Sequence, residues 1–265
     1  INNRQVEQLY VIKIGGNIID DANRLEHFLE QFATVKGHKI LVHGGGKLAT
    51  KLAEQMGIQQ QMVDGRRITD AETLKIVTMV YAGHINKNIV AKLQSKGANA
   101  IGMTGADAGI IRAHKRVHAT VDYGFVGDID AVDSIKIHQL IQQNLTIVLA
   151  PITDDGNGQL LNTNADTIAQ EIAKSMSHLY ATSLIYSFEK KGVLVDVNDD
   201  NSVIPVMNPS FYQQLKLENK IFAGMLPKLD NAFSAIQAGV KQVIIGQAEF
   251  LQELIEGKTG TSIQL

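Results

Sequence analysis

The sequence predicts an α/β fold in which helices cover both faces of a mainly parallel central sheet, forming a three-layer αβα sandwich. The first observation is a series of short aliphatic or β-branched runs, each of a length suited to one buried strand. The second is that segments with helical periodicity lie between these runs. Strand followed by helix, repeated along a chain, favours a parallel sheet because the helices supply the crossover connections.

These two patterns assign the elements in chain order. The predicted strands are 9–14, 39–43, 99–103, 146–150, 179–186 and 242–246. The predicted helices are 22–35, 46–55, 70–95, 134–143, 166–176, 227–238 and 248–255. Residues 114–129 interrupt the alternation with a Tyr123-Gly124 turn signal and predict a hairpin insertion. We expect two lobes, 1–150 and 151–265, with the boundary near the Gly- and Asp-rich loop 154–158.

Composition narrows the functional classes. The chain has 265 residues, 45% of them hydrophobic, which suits one globular unit or two closely joined lobes. A formal net charge of -2 provides no basic footprint for nucleic acid. The absence of cysteine excludes disulfides, thiolate metal sites and cysteine nucleophiles. Because no apolar stretch approaches the ~20 residues that span a bilayer, we expect a cytoplasmic protein with no membrane partner.

Two glycine clusters follow the first two predicted strands, where ligands bind in open α/β sheets. Gly15 and Gly16 come directly after a strand that carries Lys13, whereas residues 44–46 are three glycines that open a helix. Glycine lets backbone N–H groups approach an anion closely, and the helix dipole adds partial positive charge. Glycines also serve simply to turn a chain, but two clusters after consecutive strands, one beside a lysine, favour an anion-binding site.

The common sequence motifs of nucleotide-binding proteins and hydrolases do not explain these glycine clusters. Neither G-x-x-x-x-G-K-[ST] nor G-x-G-x-x-G occurs in the chain, which argues against a P-loop or a Rossmann site. His43 and the three glycines after it imitate the oxyanion loop of lipases and esterases. The hypothesis of such a hydrolase requires a G-x-S-x-G nucleophile elbow, and no serine of the sequence lies in one.

Two later segments carry polar groups next to predicted helices. The segment Asn162-Thr163-Asn164-Ala165-Asp166 precedes a helix that any one of its polar residues can cap. Three amide or carboxylate groups at alternate positions also suggest an edge that faces a ligand. Lys228 follows the helix-starting Pro227, a place where a lysine by itself is typical of a solvated surface charge.

Six segments occur in a fixed order along the chain. They are Lys13-Ile14-Gly15-Gly16, His43-Gly44-Gly45-Gly46, Gly65-Arg66-Arg67-Ile68-Thr69, Asn162-Thr163-Asn164-Ala165-Asp166, Gly224-Met225-Leu226-Pro227-Lys228 and Gly260-Thr261-Ser262-Ile263. Together they resemble the N-acetylglutamate kinases, a branch of the amino acid kinase family. The first two are shared across the wider family, whereas the third and fourth point to the acetylglutamate branch. The resemblance extends over essentially the whole chain.

The resemblance implies an activity: ATP-dependent phosphorylation of the γ-carboxylate of N-acetyl-L-glutamate in arginine biosynthesis. It implies that residues 1–150 bind the acyl-glutamate and form a homodimer, while residues 151–265 bind ATP. Mg2+ is expected to bridge the β- and γ-phosphates, held mostly by phosphate and water, so no protein metal ligands are predicted.

The resemblance also implies roles for single residues. Lys13 and Lys228 would stabilise the charge of the transferring phosphoryl group, and Asp166 would orient both lysines. A catalytic base is unnecessary because the attacking carboxylate is already ionised at neutral pH. Arg67 would clamp the substrate α-carboxylate with its guanidinium fork. The rest of the amino-acid site would be Gly45, Gly46, Asn162 and Asn164, and the ATP-binding residues would be Gly15, Gly16, Glu189, Lys191 and Gly192.

The sequence departs from the family pattern in three places. Residues 186–192 replace the usual nucleotide-loop sequence; here Glu189 substitutes for an aspartate charge and Lys191 is placed to contact a phosphate. Ser262 stands where the closing motif usually has arginine. Few residues precede the first predicted strand, so we expect a plain dimer without arginine feedback.

Several alternatives stay open at this point. N-succinyl-L-glutamate is a close variant of the substrate, since the motifs do not specify the walls of the acyl pocket. Another amino acid kinase substrate, or a non-catalytic amino-acid sensor with the same fold, is also compatible with the scaffold. His114 and His118 lack the sequence of a zinc-protease helix. Residues 154–158 lack the full spacing of a calcium loop, and we expect them to form a mobile loop over the active site.

Overall fold

The computed structural model describes residues 6–63, 66–221 and 223–265. Its strands are β1 Gln8–Ile14, β2 His38–His43, β3 Met62–Val63, β4 Arg66–Arg67, β5 Ala100–Met103, β6 Ile111–Lys115, β7 Val126–Val132, β8 Thr146–Leu149, β9 Ile152–Asp154, β10 Leu160–Thr163, β11 Ala181–Phe188, β12 Val206–Met207, β13 Gln242–Gln247 and β14 Thr261–Ile263. Its α-helices are α1 Gly16–Ile19, α2 Ala22–Thr34, α3 Gly46–Gln55, α4 Ala71–Thr78, α5 Asn86–Ser95, α6 Ser134–Gln142, α7 Ala165–Met176, α8 Pro209–Leu217, α9 Leu226–Gln237 and α10 Leu251–Ile255. A π-helical segment, Met79–Ile85, joins α4 to α5, and short 3₁₀ turns span Asp107–Gly109, Ala223–Met225 and Ala248–Phe250.

An eight-stranded sheet with the order β12-β14-β13-β11-β1-β2-β8-β5 forms the centre of the molecule. Its neighbouring strands run parallel except for β13 and β14. The mainly parallel sheet between helices confirms the predicted fold class. Strands from residues 1–150 occupy one side of the sheet and strands from residues 151–265 the other, and the two sets meet where β1 pairs with β11.

The alternation of side chains along β1 supplies both layers of the core. Leu9 and Val11 pack into one apolar cluster that includes residues of α7, whereas Ile12 and Ile14 pack into a second cluster that includes residues of α2. Because side chains along a strand alternate between the two faces, Lys13 lies on the same face as Leu9 and Val11. The lysine is therefore directed towards α7.

A four-stranded barrel of β6, β7, β9 and β10 lies beside the sheet. The antiparallel pairing of β6 with β7 contains the predicted hairpin, but it begins at Ile111 and ends at Val132, beyond the bounds expected from the sequence. β9 and β10, from the second half of the chain, complete the barrel. These two strands were missed because three or four residues are too few to show a clear periodicity.

The predicted helix 70–95 is interrupted by the π-helical segment, which lies between α4 and α5. A π-helical turn holds more residues than an α-helical turn, so it changes the direction of side chains without ending the helix. The segment brings Tyr81 and Ile85 into the core, at 5% and 4% exposure. Sequence periodicity also missed α8, β12 and β14. Within the described residues, no helix is both long enough and apolar enough to cross a bilayer.

Candidate active site

One carboxylate holds two lysines at the carboxyl end of β1. Asp166 is the second residue of α7, and its Oδ1 lies 2.7 Å from the Nζ of Lys13. Lys228, in the first turn of α9, donates to the other oxygen, Oδ2, of the same carboxylate. The fold thus gathers three charged groups from β1, α7 and α9. Lys13 is separated from each of the other two by more than half of the chain.

Burial strengthens the electrostatic interactions among these three groups. The side chains of Lys13, Asp166 and Lys228 are 12%, 14% and 20% exposed. Burial lowers the pKa of Lys13, and the charge of Asp166 opposes that shift. Burial also pushes the pKa of Asp166 upward, but the charges of Lys13 and Lys228 prevail and hold that pKa well below its usual value. An ionised carboxylate between two lysines leaves excess positive charge, which favours an additional anion.

The two glycines after β1 have different tasks. The N–H of Gly15 donates to the carbonyl of Ser187 at 2.9 Å, and a Cβ at Gly15 would lie 3.3 Å from the Cβ of Phe188. Gly15 therefore packs β1 against the end of β11. Gly16 begins α1, and a Cβ there would have no atom within 4 Å. The space in front of Gly16 is open, as an approaching anion would require.

The second glycine cluster borders a cavity of about 200 Å3. Gly45 has a φ of +144°, and a Cβ on it would lie 2.1 Å from the Cδ1 of Ile85. Both the backbone conformation and the close approach therefore require glycine at this position. Gly46 is the first residue of α3, so its N–H belongs to the helix terminus that lacks intrahelical partners. The cavity thus has backbone donors in its wall.

Arg67 lies in the wall of the same cavity and is 7% exposed. Its Nη2 donates to the carbonyl of Gly46 at 2.9 Å and to the Oγ1 of Thr50 at 2.8 Å, and its Nη1 donates to the Oε1 of Gln60. A guanidinium has five N–H donors, so these three bonds leave two for a ligand. The contacts fix the plane of the guanidinium. Gly65, the first residue of the motif that contains Arg67, lies outside the described residues.

Asn162 and Asn164 also border the cavity. Asn162 donates from Nδ2 to the Oγ1 of Thr69 at 3.1 Å. Asn164 caps α7, its Oδ1 accepting from the N–H of Thr167 at 3.0 Å. The cap uses the amide oxygen of Asn164 and leaves its NH2 group as the part that can meet a ligand.

Sequence reasoning missed several side chains of the cavity wall. Tyr81 comes from the π-helical segment, which no motif marks. Arg116 and Asp128 lie on the barrel, where the Nε of Arg116 is 3.0 and 3.1 Å from the two carboxylate oxygens. Arg66 lines the cavity beside Arg67, although the motif favoured Arg67 alone. Only the closure of the barrel against the sheet brings these groups together.

The predicted nucleotide loop follows β11. Glu189 and Lys191 are exposed, and the charge of Glu189 raises the pKa of Lys13, which places Glu189 near the lysine cluster. Gly192 is buried, and a Cβ on it would lie 2.8 Å from the Oγ1 of Thr261. Gly192 therefore packs against the closing motif. In that motif Ser262 is part of β14, where it pairs with Ile244 of β13.

Comparisons with known proteins found a matching family model and similar enzymes. The model of the amino acid kinase family matches residues 8–247. The acetylglutamate kinase of Cytophaga hutchinsonii is 58% identical over 261 residues, covering 97% of this chain and 99% of its own length. The acetylglutamate kinase of Phocaeicola vulgatus is 55% identical over 247 residues, covering 93% and 96%.

Solved structures show the same fold. The N-acetylglutamate synthase of Neisseria gonorrhoeae, complexed with coenzyme A and N-acetyl-glutamate, aligns with a TM-score of 0.82 at 19% identity. That alignment covers 98% of this chain but 59% of the synthase, so the chain spans about three fifths of that protein. The carbamate kinase of Giardia lamblia bound to AMP-PNP aligns with a TM-score of 0.69 at 16% identity, covering 98% of both chains.

Proposed function

The chain belongs to the amino acid kinase family, and we propose that it transfers the γ-phosphate of ATP to the γ-carboxylate of N-acetyl-L-glutamate in arginine biosynthesis. The acetylglutamate kinase names of relatives above 50% identity support this activity. The observation that carries the proposal is the carboxylate of Asp166 bound to Lys13 and Lys228, next to a cavity that holds Arg67. The proposed pathway places the enzyme in the cytoplasm.

Phosphoryl transfer needs positioning and charge stabilisation more than it needs covalent participation of the protein. In our proposal Lys13 and Lys228 stabilise the charge that spreads over the transferring group, and Asp166 keeps both ammonium groups in place. The backbone N–H groups of Gly16 and Gly45 hold phosphate and attacking oxygens. No side chain has to take a proton, because the acceptor carboxylate attacks in its ionised form.

The acceptor site is proposed to be the cavity bordered by Gly45 and Gly46. The donors that Arg67 has left are one on Nε and one on Nη1. When Nη2 exchanges one of its present partners for the ligand, the guanidinium presents two adjacent donors that match the two oxygens of an α-carboxylate. Asn162 and Asn164 add amide groups for the N-acylated end of the substrate. The existing bonds of Arg67 to Gly46, Thr50 and Gln60 support this role, since a clamp that is already fixed loses little conformational freedom on binding.

We propose that ATP lies on the side of residues 151–265, contacted by Gly15, Gly16, Glu189, Lys191 and Gly192. Mg2+ would neutralise charge on the β- and γ-phosphates when it is bound with the nucleotide. The described residues contain no group of three or more His, Asp or Glu side chains arranged for a metal ion. We propose that phosphate and water hold the cation. The acyl-glutamate and ATP lobes, 1–150 and 151–265, would then face each other across Asp166.

A homodimer is part of the proposal. On the surface of α3 and the π-helical segment, a groove of about 450 Å3 is lined by Leu48, Leu52 and Met79. Met79 is 52% exposed, so its apolar side chain is available for contact with a second chain. We propose that a second copy of the chain covers this surface. A molar mass of one chain by light scattering at micromolar concentration would contradict the dimer.

The cavity also supports a second candidate substrate, N-succinyl-L-glutamate. Arg66 and Arg116 line the cavity in addition to Arg67, and Arg116 pairs with Asp128. An acyl group that ends in a carboxylate would find a cation in Arg66. The acetyl group offers no such partner for that guanidinium.

The deciding experiment measures ADP release from ATP in the presence of Mg2+, with N-acetyl-L-glutamate, N-succinyl-L-glutamate and free L-glutamate compared side by side. We expect one acylated glutamate to have a kcat/KM far above that of free glutamate. Preference for the succinyl compound that disappears in Arg66→Gln would select the second candidate. If no acylated glutamate supports turnover, the kinase proposal fails and the amino-acid sensor becomes the better hypothesis.

A further inference from the structure

A buried polar network lies behind the glycine loop that borders the cavity. His43, the last residue of β2, and Asn86, the first residue of α5, are 0% and 1% exposed. The Nε2 of His43 lies 3.1 Å from the Nδ2 of Asn86, and the Nδ1 of His43 lies 2.9 Å from the carbonyl oxygen of Gly44. The proposed phosphoryl transfer assigns no task to either side chain.

The neighbours of Asn86 fix which way its amide points. Lys87 Nζ, a donor only, lies 3.1 Å from Oδ1, whereas the carbonyl of Val148, an acceptor only, lies 3.0 Å from Nδ2. The NH2 group of Asn86 is therefore the one that faces His43. Gly102 makes room for this arrangement, since a Cβ there would lie 1.9 Å from the Oδ1 of Asn86.

The amide in turn fixes the tautomer of His43. An NH2 group can only donate, so Nε2 must accept and the ring proton is on Nδ1. Nδ1–H then donates to the carbonyl of Gly44. Burial lowers the pKa of His43 to about 4, against the opposing bond to Gly44, and the charge of Lys87 acts in the same direction as burial. The ring is therefore neutral at physiological pH, and this hydrogen-bond pattern persists.

The bond to Gly44 determines where the next backbone donor points. The carbonyl of Gly44 and the N–H of Gly45 lie in one trans peptide plane and point in opposite directions. When the carbonyl is held against the buried ring of His43, the N–H of Gly45 is turned away from that ring, and Gly45 itself borders the cavity. Within the described part of the chain, this N–H has no acceptor.

We infer that His43, held in one tautomer by Asn86, is a positioning residue that aims the N–H of Gly45 at the oxygen it binds during phosphoryl transfer. The φ of +144° at position 45 and the close approach to Ile85 both require glycine, and a glycine backbone alone cannot select one orientation of the peptide. The hydrogen bond from His43 supplies that selection. The inference rests on the proposed function because it assigns the N–H a role in the reaction.

The kinetic test compares variants that place a donor differently. In His43→Asn the NH2 group of the new side chain can occupy nearly the position of the histidine Nδ1. In His43→Gln the NH2 group lies further from the backbone, and His43→Leu has no side-chain donor. We expect His43→Leu and His43→Gln to lower kcat about 10- to 100-fold with little change in KM for ATP, because one misdirected backbone donor weakens transition-state stabilisation. His43→Asn should retain most of the activity. His138→Asn, on α6, is the matched control and should keep kcat unchanged.

Two results would overturn the inference. One is a kcat of His43→Leu close to that of the unmodified protein. The other is an equal loss of kcat in the Asn, Gln and Leu variants that parallels a decrease in their melting temperatures, because that result indicates a purely structural role. A measurement independent of activity is the 15N–1H correlation spectrum of the histidine rings in the unmodified protein. It should show the proton of His43 on Nδ1, and a proton on Nε2 would also overturn the inference. If the unmodified enzyme lacks acyl-glutamate kinase activity while this spectrum is as expected, the proposed function has failed and the contact to Gly44 stands.

Discussion

The acceptor cavity and the predicted nucleotide loop differ in how firmly the protein holds their charged groups. Arg67 is 7% exposed and bonded to Gly46, Thr50 and Gln60, whereas Glu189 and Lys191 are exposed at the end of β11. The cavity is therefore organised before a ligand arrives. In the loop, only the buried Gly192 is packed tightly. Changes on the acceptor side should therefore affect binding and catalysis more than changes in the loop.

The lysine cluster between the two regions should show the largest effect. We expect Lys228→Ala to lower kcat about 1,000-fold with little change in either KM, because the ammonium group acts mainly on charge that develops in the transition state. Steady-state kinetics with both substrates would measure this. Lys220→Ala is the matched control, since that lysine is 53% exposed and pairs with Glu218. A nearly unchanged kcat in Lys228→Ala would remove the lysine from the mechanism.

The network behind the acceptor loop predicts a pH dependence of stability. Burial lowers the pKa of His43 from 6.5 to about 4, so the unfolded chain takes up a proton below pH 6.5 that the folded chain does not. The contribution of His43 to stability is thus fully present above pH 6.5 and is lost as the pH falls towards 4. Urea unfolding at pH 7 and pH 5 should show His43 accounting for about 2 kcal/mol of the decrease in the free energy of unfolding.

The comparison of variants isolates this effect. In His43→Asn, which has no titrating group at this position, the decrease from pH 7 to pH 5 should be smaller by that amount. His138→Asn provides the control and should retain the decrease of the unmodified protein. Equal decreases in the unmodified protein and His43→Asn would show that the ring titrates normally, which would contradict a buried neutral ring behind the acceptor loop.

Arg67→Lys tests the acceptor side directly. We expect the KM for the acyl-glutamate to rise about 10-fold or more with a smaller change in kcat, because an ammonium group cannot reproduce the bidentate contact of a guanidinium. Arg24→Lys, on α2, should leave the kinetics unchanged, since Arg24 pairs with Glu249 away from the cavity. Unchanged kinetics in Arg67→Lys would contradict the clamp.

Lys191→Ala should have the smallest effect. An exposed lysine that contacts a phosphate contributes about 1 kcal/mol or less, so the KM for ATP should rise no more than about 5-fold. The KM for the acyl-glutamate should not change. A large loss of kcat would contradict the difference between the two regions. It would show that the nucleotide loop becomes as well ordered as the acceptor cavity once ATP is bound.

Much of the fold followed from patterns that lie close together in the sequence. The alternation of aliphatic strands with amphipathic helices predicted the parallel sheet, and the six longer strands of that sheet were located to within about two residues. The short strands β9 and β10 and the π-helical segment were not predicted. Their formation depends on partners far away in the chain, such as the pairing of β10 with β7.

Local sequence patterns were enough to predict the class of fold, and the resemblance of the ordered motifs led to Lys13, Arg67, Asp166 and Lys228 as site residues. Which of these side chains meet, and which neighbours hold them, became visible only in the folded chain. Tyr81 and Arg116 reach the cavity, Gln60 reaches Arg67, and Asn86 reaches His43, through contacts between segments that are far apart in the chain. Local patterns report on strands and helices because those depend on neighbouring residues. A binding site depends on contacts between distant segments, which no local pattern records.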